Sequence, residues 1–360
     1  MGRMLRRRRK EAEVELGTIR VPSGELVLLD GGYMGGWSGT ERPSAEGLPF
    51  DDEALLATIE RAVDLRVVGP DAERAARVFD RQSLTFLYDL PEEDIATFRA
   101  DIETICAEHG LDARVEVEPE RVPHRTRARR CAAAGGSEFI MFGIPVVAIG
   151  GIPSDRDLRV TGRERDFGGR AGLRWTDIRI HLRDEPPAGE RELGVVGVDW
   201  ARILLGDADA LGQWQHDRPV DGLADIVFWG SAAELARRVV GGGELDDDNF
   251  GWENLELPDA VQRLEALEQW KEDHPSAGLQ IDVRPHSHHW AVLEEARRSP
   301  HGAGGLELAG ARLLLLFTSW GDGLFPVFVE TSAAGLPVAV RIQLGDEARR
   351  QLLEDVLAGG

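Results

Sequence analysis

The sequence predicts an α+β fold built by tandem duplication of one unit, a mixed and mostly antiparallel sheet with one short and one long helix per copy. Three observations predict it. The chain has 360 residues, enough for two cores of ordinary size. Blocks of residues recur in the same order in its two halves. The apolar periods alternate between the two-residue repeat of strands and the three-to-four repeat of helices.

The recurrence is read block by block. Shifted by 177 positions, Glu15-Leu16-Gly17 falls on Glu192-Leu193-Gly194, and Val21, Leu28, Asp30, Gly35 and Trp37 fall on Val198, Leu205, Asp207, Gly212 and Trp214. That is eight identities over 23 positions without a gap. At an offset of 161, Asp64, Gly69, Ala72, Glu73, Ala75, Arg77 and Val78 meet Asp225, Gly230, Ala233, Glu234, Ala236, Arg238 and Val239. Leu90-Pro91 then matches Leu257-Pro258, and Val115 to Pro119 matches Ile281 to Pro285. The offsets change where loops fall, as diverged copies require. The predicted organisation is a basic arm over 1–14, a first repeat over 15–182, a Pro- and Gly-rich linker over 183–191, and a second repeat with a C-terminal helix over 192–360.

Within each copy the elements follow from pattern. Alternation around a turn predicts a β-hairpin over Thr18 to Leu29, and again over Val195 to Leu205. A short strand ending in Gly (Leu65 to Val68; Ile226 to Trp229) leads to a short helix, Asp71 to Phe79 or Ala232 to Val240. The long helix starts at Pro91 or Pro258, where Pro suits the first turn, and carries Ile95, Phe98, Ile102 and Ile105, or Val261, Leu264, Leu267 and Trp270, on one stripe. Each copy closes in β-rich segments, and Asp346 to Leu357 forms a last helix.

Composition bounds the function. With 42 Lys+Arg against 64 Asp+Glu, the net charge of −22 repels phosphate backbones and anionic membranes and favours a basic protein partner. Arg3, Arg6 to Arg9 and Lys10 are followed by Glu-Ala-Glu-Val-Glu, so the start does not read as an export signal. The two cysteines, Cys106 and Cys131, fit neither a disulfide framework nor a zinc pattern, and a cytoplasmic location is expected. Cys131 follows Arg129-Arg130, which would lower its pKa, yet neither cysteine has a histidine partner arrangement and both read as ordinary thiols.

Thr318-Ser-Trp-Gly-Asp-Gly-Leu-Phe-Pro-Val-Phe-Val-Glu330, followed by Ala334-Gly335 and Pro337 to Arg341, resembles the closing hairpin of an uncharacterised bacterial domain-of-unknown-function family. In that family a Gly-Asp-Gly-x-aromatic-Pro-Val strand is followed by a turn and another strand. The resemblance covers about a quarter of the chain and implies a bacterial protein. It brings no catalytic residue, and the first copy has no Gly-Asp-Gly.

Candidate sites are few. Asp246, Asp247 and Asp248, with Phe250 and Trp252, form an acidic and aromatic segment suited to a basic partner; the run misses the spacing of a calcium loop. His286 and His288, two apart after Pro285, would share one face of an extended strand and could bind one metal, with no third ligand nearby in sequence. Asp30 and Asp207, close to Trp37 and Trp214, recur at strand ends and are read as structural acceptors of turn N–H groups. Gly31 to Gly36 lacks the residues of a phosphate loop and reads as a flexible turn. The leading expectation is a non-enzymatic interaction protein without a cofactor, immunity- or antitoxin-like, engaging a basic protein. The alternatives are a metal-dependent hydrolase with its site between the copies, and a structural component of a larger assembly.

Overall fold

The computed structural model describes residues 12–79, 84–245 and 249–359. The first half runs β1 (Ala12–Ile19), β2 (Glu25–Asp30), a 3-10 turn (Tyr33–Gly36), α1 (Glu53–Glu60), β3 (Val63–Val68), α2 (Ala72–Phe79), β4 (Phe86–Leu90), α3 (Ile95–His109), β5 (Arg114–Val117), α4 (His124–Ala133), β6 (Ser137–Met141), β7 (Ile144–Gly150), β8 (Leu158–Asp166) and β9 (Leu173–His181). The second runs β10 (Gly189–Val198), β11 (Arg202–Asp207), a 3-10 turn (Ala210–Gln213), β12 (Leu223–Trp229), α5 (Ala233–Val240), β13 (Gly243–Glu244), β14 (Phe250–Glu256), α6 (Leu257–Asp273), β15 (Gln280–Pro285), α7 (His288–Arg298), β16 (Ala303–Leu308), β17 (Ala311–Phe317), β18 (Gly323–Thr331), β19 (Pro337–Gln343) and α8 (Glu347–Gly359). Setting aside α1, β13 and α8, and a short 3-10 turn before α3, the second order repeats the first.

The fold is α+β with two large antiparallel sheets. One has the strand order β1-β8-β9-β19-β18-β10, the other β16-β17-β11-β2-β7-β6. Each order runs outward from its centre through matching positions of the two halves. Bulges interrupt the pairing of β1 with β8 at Glu15/Gly17 and of β10 with β18 at Glu192/Gly194. Gly17 and Gly194 sit there at φ 142° and 134°, a conformation that explains why both positions are glycine.

Contacts divide the chain into two compact units, one up to Gln213 and from Glu295 onward, the other Trp214–Glu294. The first unit holds both large sheets. Leu16, Val160, Ile178, Phe325 and Val340 of one sheet pack against Leu28, Val147, Ile203 and Leu314 of the other. Strands β2, β11 and β17 are buried on both faces, which is why they read as nearly unbroken apolar runs. The first unit also contains the three-stranded sheet β4-β3-β5, covered by α2 and α3 around Leu65, Ile102 and Cys106. The second unit is the four-stranded sheet β13-β14-β12-β15 with α5 and α6, its core formed by Ile226, Phe228, Leu267 and Trp270.

Three expectations change. The predicted hairpins are not hairpins: β1 pairs with β8 and β2 with β11 and β7, so the turn at Val21 to Gly24 carries the chain between sheets. Residues 195–205 do the same, β10 pairing with β18 and β11 with β17. Each half has a further helix, α4 or α7, that the apolar pattern did not reveal. Gly31 to Gly36 is a packed segment that ends in the 3-10 turn Tyr33–Gly36, with Tyr33 and Met34 buried. Among the described residues, no helix is long and apolar enough to cross a membrane.

Candidate functional site

Asp30 is fully buried and accepts the backbone N–H groups of Gly32 (2.6 Å), Asp199 (2.5 Å) and Trp200 (2.9 Å). Asp207 accepts those of Ser23 (2.7 Å), Asp209 (2.9 Å) and Ala210 (3.0 Å). Each aspartate thus holds its own following turn and the turn between strands in the other half. Burial pushes the Asp30 carboxyl up to about 6, against the pull of its three N–H donors.

The tryptophans belong to a second recurring arrangement. In the first unit Ser38 N–H donates to His124 Nδ1 (3.1 Å), and the Trp37 and His124 rings lie 5.7 Å apart. In the second unit Gln215 N–H donates to His288 Nδ1 (2.9 Å), with Trp214 and His288 5.8 Å apart. Both histidines are held below their ordinary pKa by burial. His288 is therefore a neutral acceptor at the start of α7. It does not share an extended strand with His286, because β15 ends at Pro285. Among the described residues, no group of three His, Cys, Asp or Glu side chains is placed to hold a metal ion.

His286 lies between two carboxylates, Nδ1 2.8 Å from Asp221 Oδ2 and Nε2 3.1 Å from Asp225 Oδ1. Both contacts are hydrogen bonds only when the ring is doubly protonated. Burial lowers its pKa, but the bonds to Asp221 and Asp225 outweigh burial and leave it above the ordinary value. Asp225 also accepts the N–H of Asn254, a residue with φ 57°. The first unit repeats this contact with Asp64 and the N–H of Asp89, at φ 55°.

Around Asp64 the cations are arginines. Arg127 is fully buried and binds Asp89 (2.8 and 2.9 Å), Asp64 (3.1 Å) and the carbonyls of Val122 and Ile140 (both 2.8 Å). Arg121 adds a 2.6 Å bond to Asp89. The four charges fasten β3 and β4 to β6. Burial raises the Asp64 pKa despite Arg127, whereas for Asp89 the two arginines outweigh burial and hold the carboxyl well below the usual range. With side chains at most 2% exposed, this cluster is closed to a substrate and acts as a structural tie.

Cys131 is buried in α4 and its thiol is pushed up to about 11, so burial overrides the pull of the neighbouring Arg130. Phe250 and Trp252 lie on β14, half-buried around Phe228 at ring separations of 6.0 and 5.9 Å. Arg237 stacks on Phe250 and Arg263 on Trp252. Asp246, Asp247 and Asp248, like the basic residues 1–10, lie outside the described residues.

The second unit holds 17 acidic and six basic residues, a net charge of −11 and half that of the whole chain. Asp259, Glu265, Glu268 and Glu272 are exposed along α6. Leu257 and Val261 on α6 (42% and 53% exposed), and Leu235 and Val239 on α5 (56% and 69%), form exposed apolar pairs one helical turn apart. Comparison with protein-family models, curated proteins and solved structures finds no match to the chain.

Proposed function

We propose that this chain is a duplicated scaffold that binds a basic protein partner through its second compact unit, without catalysing a reaction. One observation carries the reading: 81 of the 360 residues bear half of the net charge, on a surface that also exposes apolar side chains. Concentrated negative charge steers a cationic partner and fixes its orientation, while apolar pairs supply area to bury. The acidic run Asp246 to Asp248 adds to the same unit. Duplication is supported by the repeated element order, the paired bulges and the reciprocal contacts of Asp30 and Asp207. On this reading the first copy keeps its small sheet fastened by arginines, while the equivalent sheet of the second copy has become the acidic module.

The test is affinity capture with the whole chain at graded salt, beside two variants, Asp246→Ser/Asp247→Ser/Asp248→Ser and Glu265→Gln/Glu268→Gln/Glu272→Gln. Near-stoichiometric retention of one basic protein, falling with salt and lost in at least one variant, is expected. Retention indifferent to both salt and these charges overturns the reading.

A further inference from the structure

Within the first unit, α2, the approach to β4, the end of α4 and the edge strand β10 surround a cleft of about 840 Å³, in the size range of small-molecule sites. Arg130 lies over Phe86, its guanidinium carbon 3.7 Å from the ring centroid, and one N–H reaches the Tyr88 hydroxyl at 3.3 Å. Arg191 donates to the Gly135 carbonyl at 2.7 Å. Neither arginine has a carboxylate partner among the described residues. A guanidinium carries five donors, so most of theirs are unspent. Ser137, 8% exposed, also lines the cleft, at the base beside Cys131.

The charges at the cleft run against the rest of the chain. Arg77 is paired with Glu73 at 2.9 Å, leaving Arg130 and Arg191 against Glu192, an excess of positive charge in a strongly acidic protein. A second cavity of about 240 Å³ shares Leu84 and Phe86 with the cleft and is walled by Phe98, Phe139 and Ile140. The cleft thus mixes Leu84, Phe86 and Leu193 with its arginines, and the second cavity is mostly apolar, with Glu138 at its lining.

We propose that this cleft binds an amphiphilic organic anion, its carboxylate or phosphate head on Arg130 and Arg191 and its apolar tail toward the second cavity. Arginine suits such heads because its fork of donors matches two anionic oxygens. The aromatic wall selects for a tail that inorganic anions lack. This site is independent of the acidic surface of the second unit.

The test uses the whole chain and five probes, octanoate, octyl phosphate, octanol, acetate and inorganic phosphate, measured by titration calorimetry and by side-chain Nε shifts of the arginines. At least one octyl anion is expected to saturate the protein at least tenfold more tightly than octanol, acetate and phosphate, and to shift Arg130 and Arg191 Nε. The comparison of octanoate with octyl phosphate names the head group. Arg191→Gln, on an exposed strand position, and Arg130→Gln should each weaken that binding tenfold or more. Equal binding of octanol, no saturation by either octyl anion, shifts confined to other arginines, or binding unchanged in a folded Arg191→Gln variant each overturn the proposal.

Discussion

Replacing Arg127 by methionine removes the hub of the buried ionic cluster while keeping an unbranched apolar stem over Tyr88, whose ring lies 4.4 Å from the guanidinium carbon. Asp89 retains Arg121 and the N–H of Phe142. Asp64 keeps only the N–H groups of Asp89 and Val122, and the carbonyls of Val122 and Ile140 lose their donor. Leaving a buried carboxylate without its cation costs about 3–5 kcal/mol, a large share of a typical stability of about 5–15 kcal/mol. The sign with pH follows from Asp64, whose folded pKa already lies above its ordinary value and rises further without Arg127. Such a carboxyl favours the folded state at low pH, and that contribution is lost as pH rises through the folded pKa. The deficit of Arg127→Met against wild type should therefore widen as pH rises from the ordinary carboxylate range toward neutrality, and Asp64→Asn added to Arg127→Met should recover part of it. Urea unfolding followed by circular dichroism measures both. A loss below about 1 kcal/mol, or a deficit independent of pH, refutes this account of the cluster.

Three further outcomes follow from the other polar groups. Asp30→Ala should cost about 2–4 kcal/mol, since it orphans three backbone N–H groups, and Asp207→Ala a comparable amount; urea unfolding of each variant checks this. His286 gains two carboxylate partners on folding, so its folded pKa lies above the ordinary 6.5; the stabilisation is complete below that value and is lost as pH rises through the folded one. Hydrogen exchange at His286 and Val220, whose amides bond to Leu223 and from Val220 to His286, should quicken over that window in wild type beyond the intrinsic pH trend, but not in His286→Gln. Cys131 should resist iodoacetamide at pH 8 in the folded protein and react once it is unfolded, as mass spectrometry of the labelled peptide will show.

Much of the strand framework was legible because it rests on local pattern. The apolar runs of β2, β11 and β17 and the stripe of α3 each state their own period. Alternation does not say which strand is the partner, so residues 18–29 and 195–205 read as hairpins although each links two sheets. Helix α4 was hidden because its buried face includes His124, Arg125 and Arg127 in place of an apolar stripe. Strand β8 ends in Arg-Glu-Arg-Asp and β16 opens in Ala-Gly-Gly, neither a strong strand signal. The match of His124 to His288 was obscured by a change of offset to 164, though the aligned Trp37-Ser38 and Trp214-Gln215 are the signal that leads to it. The cleft gathers Arg130, Ser137 and Arg191 from separate elements, and no spacing along the chain announces that.

Binding through the acidic second unit is tested by the salt dependence of affinity between the whole chain and its captured partner, determined for three proteins. They are wild type, Glu265→Gln/Glu268→Gln/Glu272→Gln in the second unit, and Glu92→Gln/Glu93→Gln/Asp94→Asn, which removes the same charge from exposed positions of the first unit. Affinity should fall with salt in wild type, the second-unit variant should lose tenfold or more together with part of the salt dependence, and the first-unit variant should stay close to wild type. Equal losses in the two variants, or no loss in the second-unit variant, would contradict binding through that unit.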